Sequence, residues 1–174
     1  MSTEKKLPLY PDCPRPNSFE VGIEYQDFVC KRLMEDGLVL QNFGSKRWQI
    51  AVGENIQGWE IKYDGVFRRS GRLSIEVAEK SRASNEEWVP SGIYRNDNTW
   101  LYIQGDEQTI FVFGKKNLKR AYRMRRPDGS PRYERAESHG TVRKFYIPVR
   151  DAERGALRIF GAPASKINGQ TFQF

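Results

Sequence analysis

The residues best able to do chemistry lie in two neighbouring segments, "GWEIKYD" and "GRLSIEVAEK". Both alternate with a period of two, as strands do. Trp59, Ile61 and Tyr63 fall on one face, with Glu60, Lys62 and Asp64 on the other. Leu73, Ile75 and Val77 likewise oppose Ser74, Glu76, Ala78 and Lys80. "RRSG" supplies a turn between them, so the segments read as an antiparallel hairpin. Centred near Ser70, this hairpin sets Asp64 opposite Glu76, Lys62 opposite Ala78 and Glu60 opposite Lys80; a slip of one residue would reverse the faces. Two carboxylates side by side repel unless a cation lies between them. Mg²⁺ suits that position, with Mn²⁺ as the alternative ion, because it takes one or two carboxylates and completes its shell with water and substrate phosphate. Flanking lysines add positive charge, and the combination suits phosphodiester hydrolysis. The plainer reading of the same residues is a solvated strand face with cross-strand charge pairing.

The surrounding elements must hold this pair in place. Residues 1–16 are polar and proline-rich and read as an arm, leaving 17–174 as one domain. "NSFEVGIEYQDFVCKRLMEDG" reads as a helix, with Asn17 as cap, Glu20 at the capping-box position and Gly37 closing it. Val21, Tyr25, Phe28, Val29 and Leu33 form its apolar face. "LVLQNF" and "RWQIAV" read as short strands, and "TWLYIQG" and "QTIFVFG" as two more around "GDEQ". "KKNLKRAYRMRR" reads as a basic helix, "PDGSPRYERAESHG" as a long loop, and "RKFYIPV" and "ALRIFG" as late strands. The expected class is α/β, with a central mixed sheet flanked by helices.

With those elements laid out, the pattern resembles the PD-(D/E)xK nuclease superfamily, including its resolvase-like members. The resemblance covers roughly 17–122 and, more weakly, "KFYIPV". It implies a restriction-endonuclease-like fold and a Mg²⁺-dependent deoxyribonuclease. The first acid maps to Asp64 and the second to Glu76, with the Val77 carbonyl assisting at the metal. A further helix acid maps to Glu24, and Ser91 of "SGI" maps near the scissile strand. One departure stands out: the lysine expected two residues after Glu76 is Ala78. Lys80 and Lys62 are the two stand-ins as catalytic lysine. The alternative is a catalytically inactive nucleic-acid-binding protein on the same scaffold.

Composition supports an anionic partner. Lys+Arg number 29 against 22 Asp+Glu in 174 residues, a formal charge of +7. Seven cations fall within the twelve residues of "KKNLKRAYRMRR"; Lys115, Lys116, Lys119, Arg120 and Arg123, with Arg82, are expected to contact phosphates. "PRYER" and "VRK" extend this into a basic track. DNA is the expected partner and RNA the alternative, and the arm or a sheet edge offers a surface for a homodimer. Cys13 and Cys30 lack metal or disulfide spacing, and a single histidine, His139, excludes a multi-histidine metal site. No apolar run is long enough to span a bilayer and no signal-peptide pattern is present, so a soluble, cytoplasmic chain in a reducing compartment is expected.

Overall fold

A stripe of Tyr25, Val29 and Leu33, spaced four apart, buries one side of the first helix, α1 (Ser18–Glu35). In the computed structural model, which describes residues 18–43 and 46–161, this helix ends in a Schellman motif. The Gly37 N–H donates to the Met34 carbonyl and the Leu38 N–H to the Leu33 carbonyl. Gly37 adopts φ 80°, which only glycine takes without strain. The 1–16 arm, Cys13 and the Asn17 cap lie outside the described residues.

The remaining elements are α2 (Lys46–Ala51), β1 (Trp59–Tyr63), α3 (Phe67–Ser70), β2 (Arg72–Glu79) and β3 (Val89–Pro90). A 3₁₀ turn (Gly92–Tyr94), β4 (Leu101–Gly105), β5 (Thr109–Gly114) and α4 (Lys115–Arg123) follow. The chain continues through β6 (Arg135–Ser138), β7 (Val142–Pro148), α5 (Val149–Gly155) and β8 (Arg158–Gly161). The protein is α/β with two four-stranded sheets. One is mixed, in the order β1-β4-β5-β8, and one is antiparallel, in the order β3-β2-β7-β6. Among the described residues, no helix is long and apolar enough to cross a membrane.

The hairpin expected from sequence does not form. β1 pairs in parallel with β4, Trp59 opposite Leu101 through Tyr63 opposite Gly105, while β2 pairs antiparallel with β7. The cause lies in the connection. Instead of a tight turn, 67–70 forms the helical turn α3, which buries Phe67 completely and aims Arg68 at Asp106 and Thr109. A tight hairpin turn could not anchor both groups, and the connection feeds β2 into the other sheet. Two shorter expectations also change. "RWQIAV" lies largely within helix α2, and "LVLQNF" contributes only an isolated bridge between Asn42 and Asn55. Short apolar runs do not distinguish strand from helix by periodicity. The loop expected over "PDGSPRYERAESHG" contains β6, and α5 follows β7 directly.

Two apolar layers result. Tyr25, Val29 and Leu33 of α1 pack on Ile61, Leu101, Ile103, Ile110 and Val112 of the mixed sheet. On that sheet's other side, Tyr102, Phe111 and Phe113 meet Leu73, Ile75 and Phe145 of the antiparallel sheet. Because Ile61 belongs to the α1 layer, its strand neighbours Glu60 and Lys62 must face between the sheets.

A buried ion pair fastens α4. The Lys115 ammonium, 5% exposed, donates to Asp97 Oδ1 at 2.9 Å and to the Arg95 carbonyl at 3.0 Å. Burial alone would raise the Asp97 carboxyl; hydrogen bonds from Lys115 and Thr99 outweigh it and hold the group below the usual carboxylate range. Breaking a buried pair costs about 3–5 kcal/mol. Arg95 still faces Asp97 at 3.7 Å, which favours the low end. Lys115→Ala is therefore expected to lose about 3 kcal/mol, a melting-point drop of roughly 6–12 °C. A depressed carboxyl stabilises above its unfolded pKa, so the gap between wild type and variant should be full at neutral pH and close below about pH 4. Thermal melts across pH check both statements; a gap that widens in acid would contradict them.

Candidate functional site

Glu54 precedes β1 and folds back along that strand's outer edge. Its Oε2 accepts the Ile61 N–H at 2.7 Å, so a side chain occupies the place of a missing neighbouring strand. Asn55 fixes the approach by accepting the Trp59 N–H and donating to the Trp59 carbonyl. The Glu54 carboxylate is thereby held next to the side chains that β1 turns inward.

Those side chains are Glu60 and Lys62, which share a face because they are two residues apart on a strand. Lys62 Nζ lies 3.2 Å from Glu60 Oε1 and 3.4 Å from Glu54 Oε1. Glu60 is 1% exposed, and among the described residues neither of its carboxylate oxygens accepts a hydrogen bond. The lysine contact is thus a charge–charge contact without hydrogen-bond alignment. The Lys62 side chain remains 35% exposed.

Glu76 joins from β2. Ser91 Oγ donates to Glu76 Oε1, and the Ser91 N–H donates to the Val77 carbonyl at 3.1 Å. Gly92 lets the 3₁₀ turn approach this closely: a Cβ there would lie 2.3 Å from the Glu76 carbonyl oxygen, and its φ is 49°.

The electrostatics bind these groups into one cluster. Burial raises the Glu54 carboxyl above the usual range against the pull of Lys62 and the Ile61 N–H. Burial also raises Glu76, opposed by Ser91 and Lys62. Burial works against the Lys62 charge, but Glu60, Glu54 and Glu76 outweigh it and hold the ammonium above the usual lysine value. The buried Tyr102 phenol is raised by burial and then by Glu60, Glu76, Glu54 and Asp64. Two carboxylates, Glu54 and Glu60, thus contact the Lys62 ammonium, and Glu76 adds a third negative charge to its field.

The residues singled out in the sequence are distributed differently. Asp64 is buried and fully engaged: its carboxylate accepts the Ser74 N–H at 3.0 Å, Gln104 Nε2 at 2.9 Å and the Val66 N–H at 3.3 Å. It ties the end of β1 to β2 and β4 rather than pairing with Glu76. The Val77 carbonyl is taken by Ser91. Lys80 donates to the Ala83 carbonyl at 3.1 Å and lies 4.6 Å over the Trp88 ring. Glu24 is exposed on α1, which packs against the opposite face of the mixed sheet from Glu60. Lys62, Glu76 and Ser91 do come together. Lys115 is committed to Asp97, Lys119 is half-buried, and Arg82, Lys116, Arg120 and Arg123 are exposed.

Glu54 is the member that the sequence reading passed over, and Glu60 was read there as a charge-pairing residue and not as a site acid. The signal for Glu60 was present, since an acid and a lysine separated by one residue share a strand face. Glu54 gave no comparable signal, because only the folded loop brings it alongside β1.

The donors are all carboxylate oxygens, which suits a hard divalent cation. Among the described residues, no group of three or more Asp, Glu, His or Cys side chains forms a ready-made metal cage. Mg²⁺ takes one or two carboxylates and completes its shell with water and phosphate, so any fit rests on Glu60 and Glu54. The orphaned oxygens of Glu60 fit such an ion.

These environments separate two acids by their effect on stability. Asp64→Ala should cost about 1–3 kcal/mol, because buried donors on Ser74 and Gln104 lose their acceptor. Glu60→Gln should be neutral or stabilising by up to about 1 kcal/mol, since Lys62 keeps Glu54 while a buried, unbonded charge disappears. Denaturant midpoints measure both, and a large loss for Glu60→Gln would mark a purely structural ion pair. Comparison with known proteins yields no match, whether among family models, curated proteins or solved structures.

Proposed function

We propose that the chain is a divalent-metal-dependent nuclease acting on DNA phosphodiester bonds, centred on Glu54, Glu60, Lys62 and Glu76. One observation carries the reading: Glu60 is a buried carboxylate held by the Lys62 ammonium at 3.2 Å without an aligned hydrogen bond among the described residues, and that same ammonium also serves Glu54. A carboxylate buried without hydrogen bonds is costly, and such costs are retained where a site needs them. The resemblance to PD-(D/E)xK nucleases then moves one strand earlier. Glu54 takes the place of the first acid, and Glu60-Ile61-Lys62 supplies the acid-x-lysine step that Glu76-Val77-Ala78 lacks. The restriction-endonuclease-like fold is part of the same proposal.

Glu60 and Glu54 would hold Mg²⁺ or Mn²⁺, with Glu76 nearby to share the ion or its bound water. When bound, such an ion lowers the pKa of water and neutralises phosphate charge. Lys62, kept protonated by its three acidic neighbours, presents an ammonium to the charge that develops on the phosphate oxygens. Ser91 holds Glu76 in one orientation, and Asp64 keeps β1 and β2 at a fixed separation.

A second reading is favoured by one specific observation. The Lys62 ammonium already lies between Glu54 and Glu60, as it would in an inactive nucleic-acid-binding protein with a closed ion-pair network.

Metal and cleavage assays separate the two. On the nuclease reading, Mg²⁺ or Mn²⁺ raises the melting temperature of the wild type, and Glu60→Gln removes that rise. The wild type nicks plasmid DNA with either ion, while Glu60→Gln and Lys62→Met each lose about 10²-fold or more. Asp64→Asn keeps metal-dependent cleavage at a lowered melting temperature. DNA binding with no metal response and no nicking would instead establish the inactive protein.

A further inference from the structure

A second feature lies on the far side of Glu76. Between α4 and the antiparallel sheet is an open cavity of about 410 Å³, lined in part by Tyr122, Arg135, Glu137, Arg143 and Lys144. Its size is in the range of ligand-binding clefts. Two guanidiniums, Arg135 and Arg143, face one carboxylate there, and Glu137 is matched by Arg143, whose Nε donates to it at 2.8 Å. The lining therefore keeps a net positive charge.

Aromatic rings are interleaved with these cations. The Arg135 guanidinium lies 4.0 Å over the Tyr122 ring, and that of Arg143 lies 4.0 Å over Trp88. Tyr122 meets Tyr94 edge-on at 5.7 Å, and Tyr94 in turn lies beneath Lys119 at 5.4 Å and Arg123 at 5.9 Å. Tyr94 belongs to the same short turn that follows Ser91, the hydrogen-bond donor to Glu76. The basic, aromatic strip thus reaches the turn whose Ser91 holds Glu76.

Cations alone would suit any polyanion. Rings set between cations suit a strand whose bases are unpaired, because bases stack on aromatic faces while phosphates meet the charges. We infer that this groove binds single-stranded nucleic acid, with phosphates on Arg135 and Arg143 and bases against Tyr122, Tyr94 and Trp88. This deepens the nuclease reading by naming an unpaired strand as the substrate class that the groove leads toward Glu76.

The experiment measures binding in EDTA, where cleavage plays no part, so failure of the groove and failure of the nuclease reading are distinguishable. The probes are a fluorescent oligothymidylate, an abasic strand of equal length, a matching duplex and a heparin fragment. The expected order has oligothymidylate binding at least about tenfold tighter than the abasic strand, the duplex and the heparin fragment. Arg135→Gln with Arg143→Gln is expected to weaken oligothymidylate at least about tenfold and to reduce the salt slope of log Kd by about 1.4, or about 0.7 for each lost phosphate contact. The lysine pair, Arg135→Lys with Arg143→Lys, keeps the charge and should keep the slope, which covers the case of a misfolded glutamine variant. Equal binding to heparin, to the abasic strand or to duplex, or a glutamine variant that melts and binds as the wild type, would overturn the inference.

Discussion

Lys62 stands where three acidic side chains meet, and most of what is distinctive in this protein follows from that imbalance. Ionised together, Glu54, Glu60 and Glu76 exceed the single charge of Lys62, and each is fixed by the structure around it. Glu54 is pinned by the Ile61 N–H on an edge strand, Glu60 by the strand's own alternation, and Glu76 by Ser91. A fold optimised for stability alone would replace a buried, unbonded carboxylate with an apolar or amide side chain. Retaining it points to a use for excess negative charge, and a divalent cation is the partner that uses it most directly.

The scaffold around the cluster is built from firmer interactions. Asp64 spends its carboxylate on Ser74, Gln104 and Val66, so the junction between β1 and β2 is held by hydrogen bonds. Arg68 reaches Asp106 and Thr109 from α3, and Lys115 reaches Asp97 from α4. Each of these buried charges has a matched partner. Glu60 differs in sharing its one ammonium, Lys62, with Glu54 and in accepting no aligned hydrogen bond, and that marks it as the candidate functional acid.

Much of this architecture was legible in the sequence, and the limits have physical causes. The apolar stripe on α1, the alternation of β1 and β2, and the strands β4 and β5 could be read directly, because local periodicity reports which side of an element is buried. Strand pairing could not. Nothing in "DGVFRRSG" distinguishes a turn from a helical crossover, and that choice sends β2 to the other sheet, separating Asp64 from Glu76. Ser91 and Glu76 were identified and do meet, whereas Glu60 was read as the cross-strand neighbour of Lys80 and as a plain salt-bridge partner for a lysine, which the Lys62 contact matches. Its role depends on lacking hydrogen bonds, which is a property of the folded environment. Lys115 appeared as one more cation in a basic helix; its burial against Asp97 arises because α4 begins immediately after β5 and turns its first residue inward.

The most direct test of the central claim is anomalous diffraction from crystals of the full chain soaked in Mn²⁺. The account requires a manganese peak against the carboxylates of Glu60 and Glu54, with the Lys62 ammonium displaced from between them, and no peak in Glu60→Gln crystals. A wild-type map without a peak, and with Lys62 still bridging Glu54 and Glu60, would contradict it.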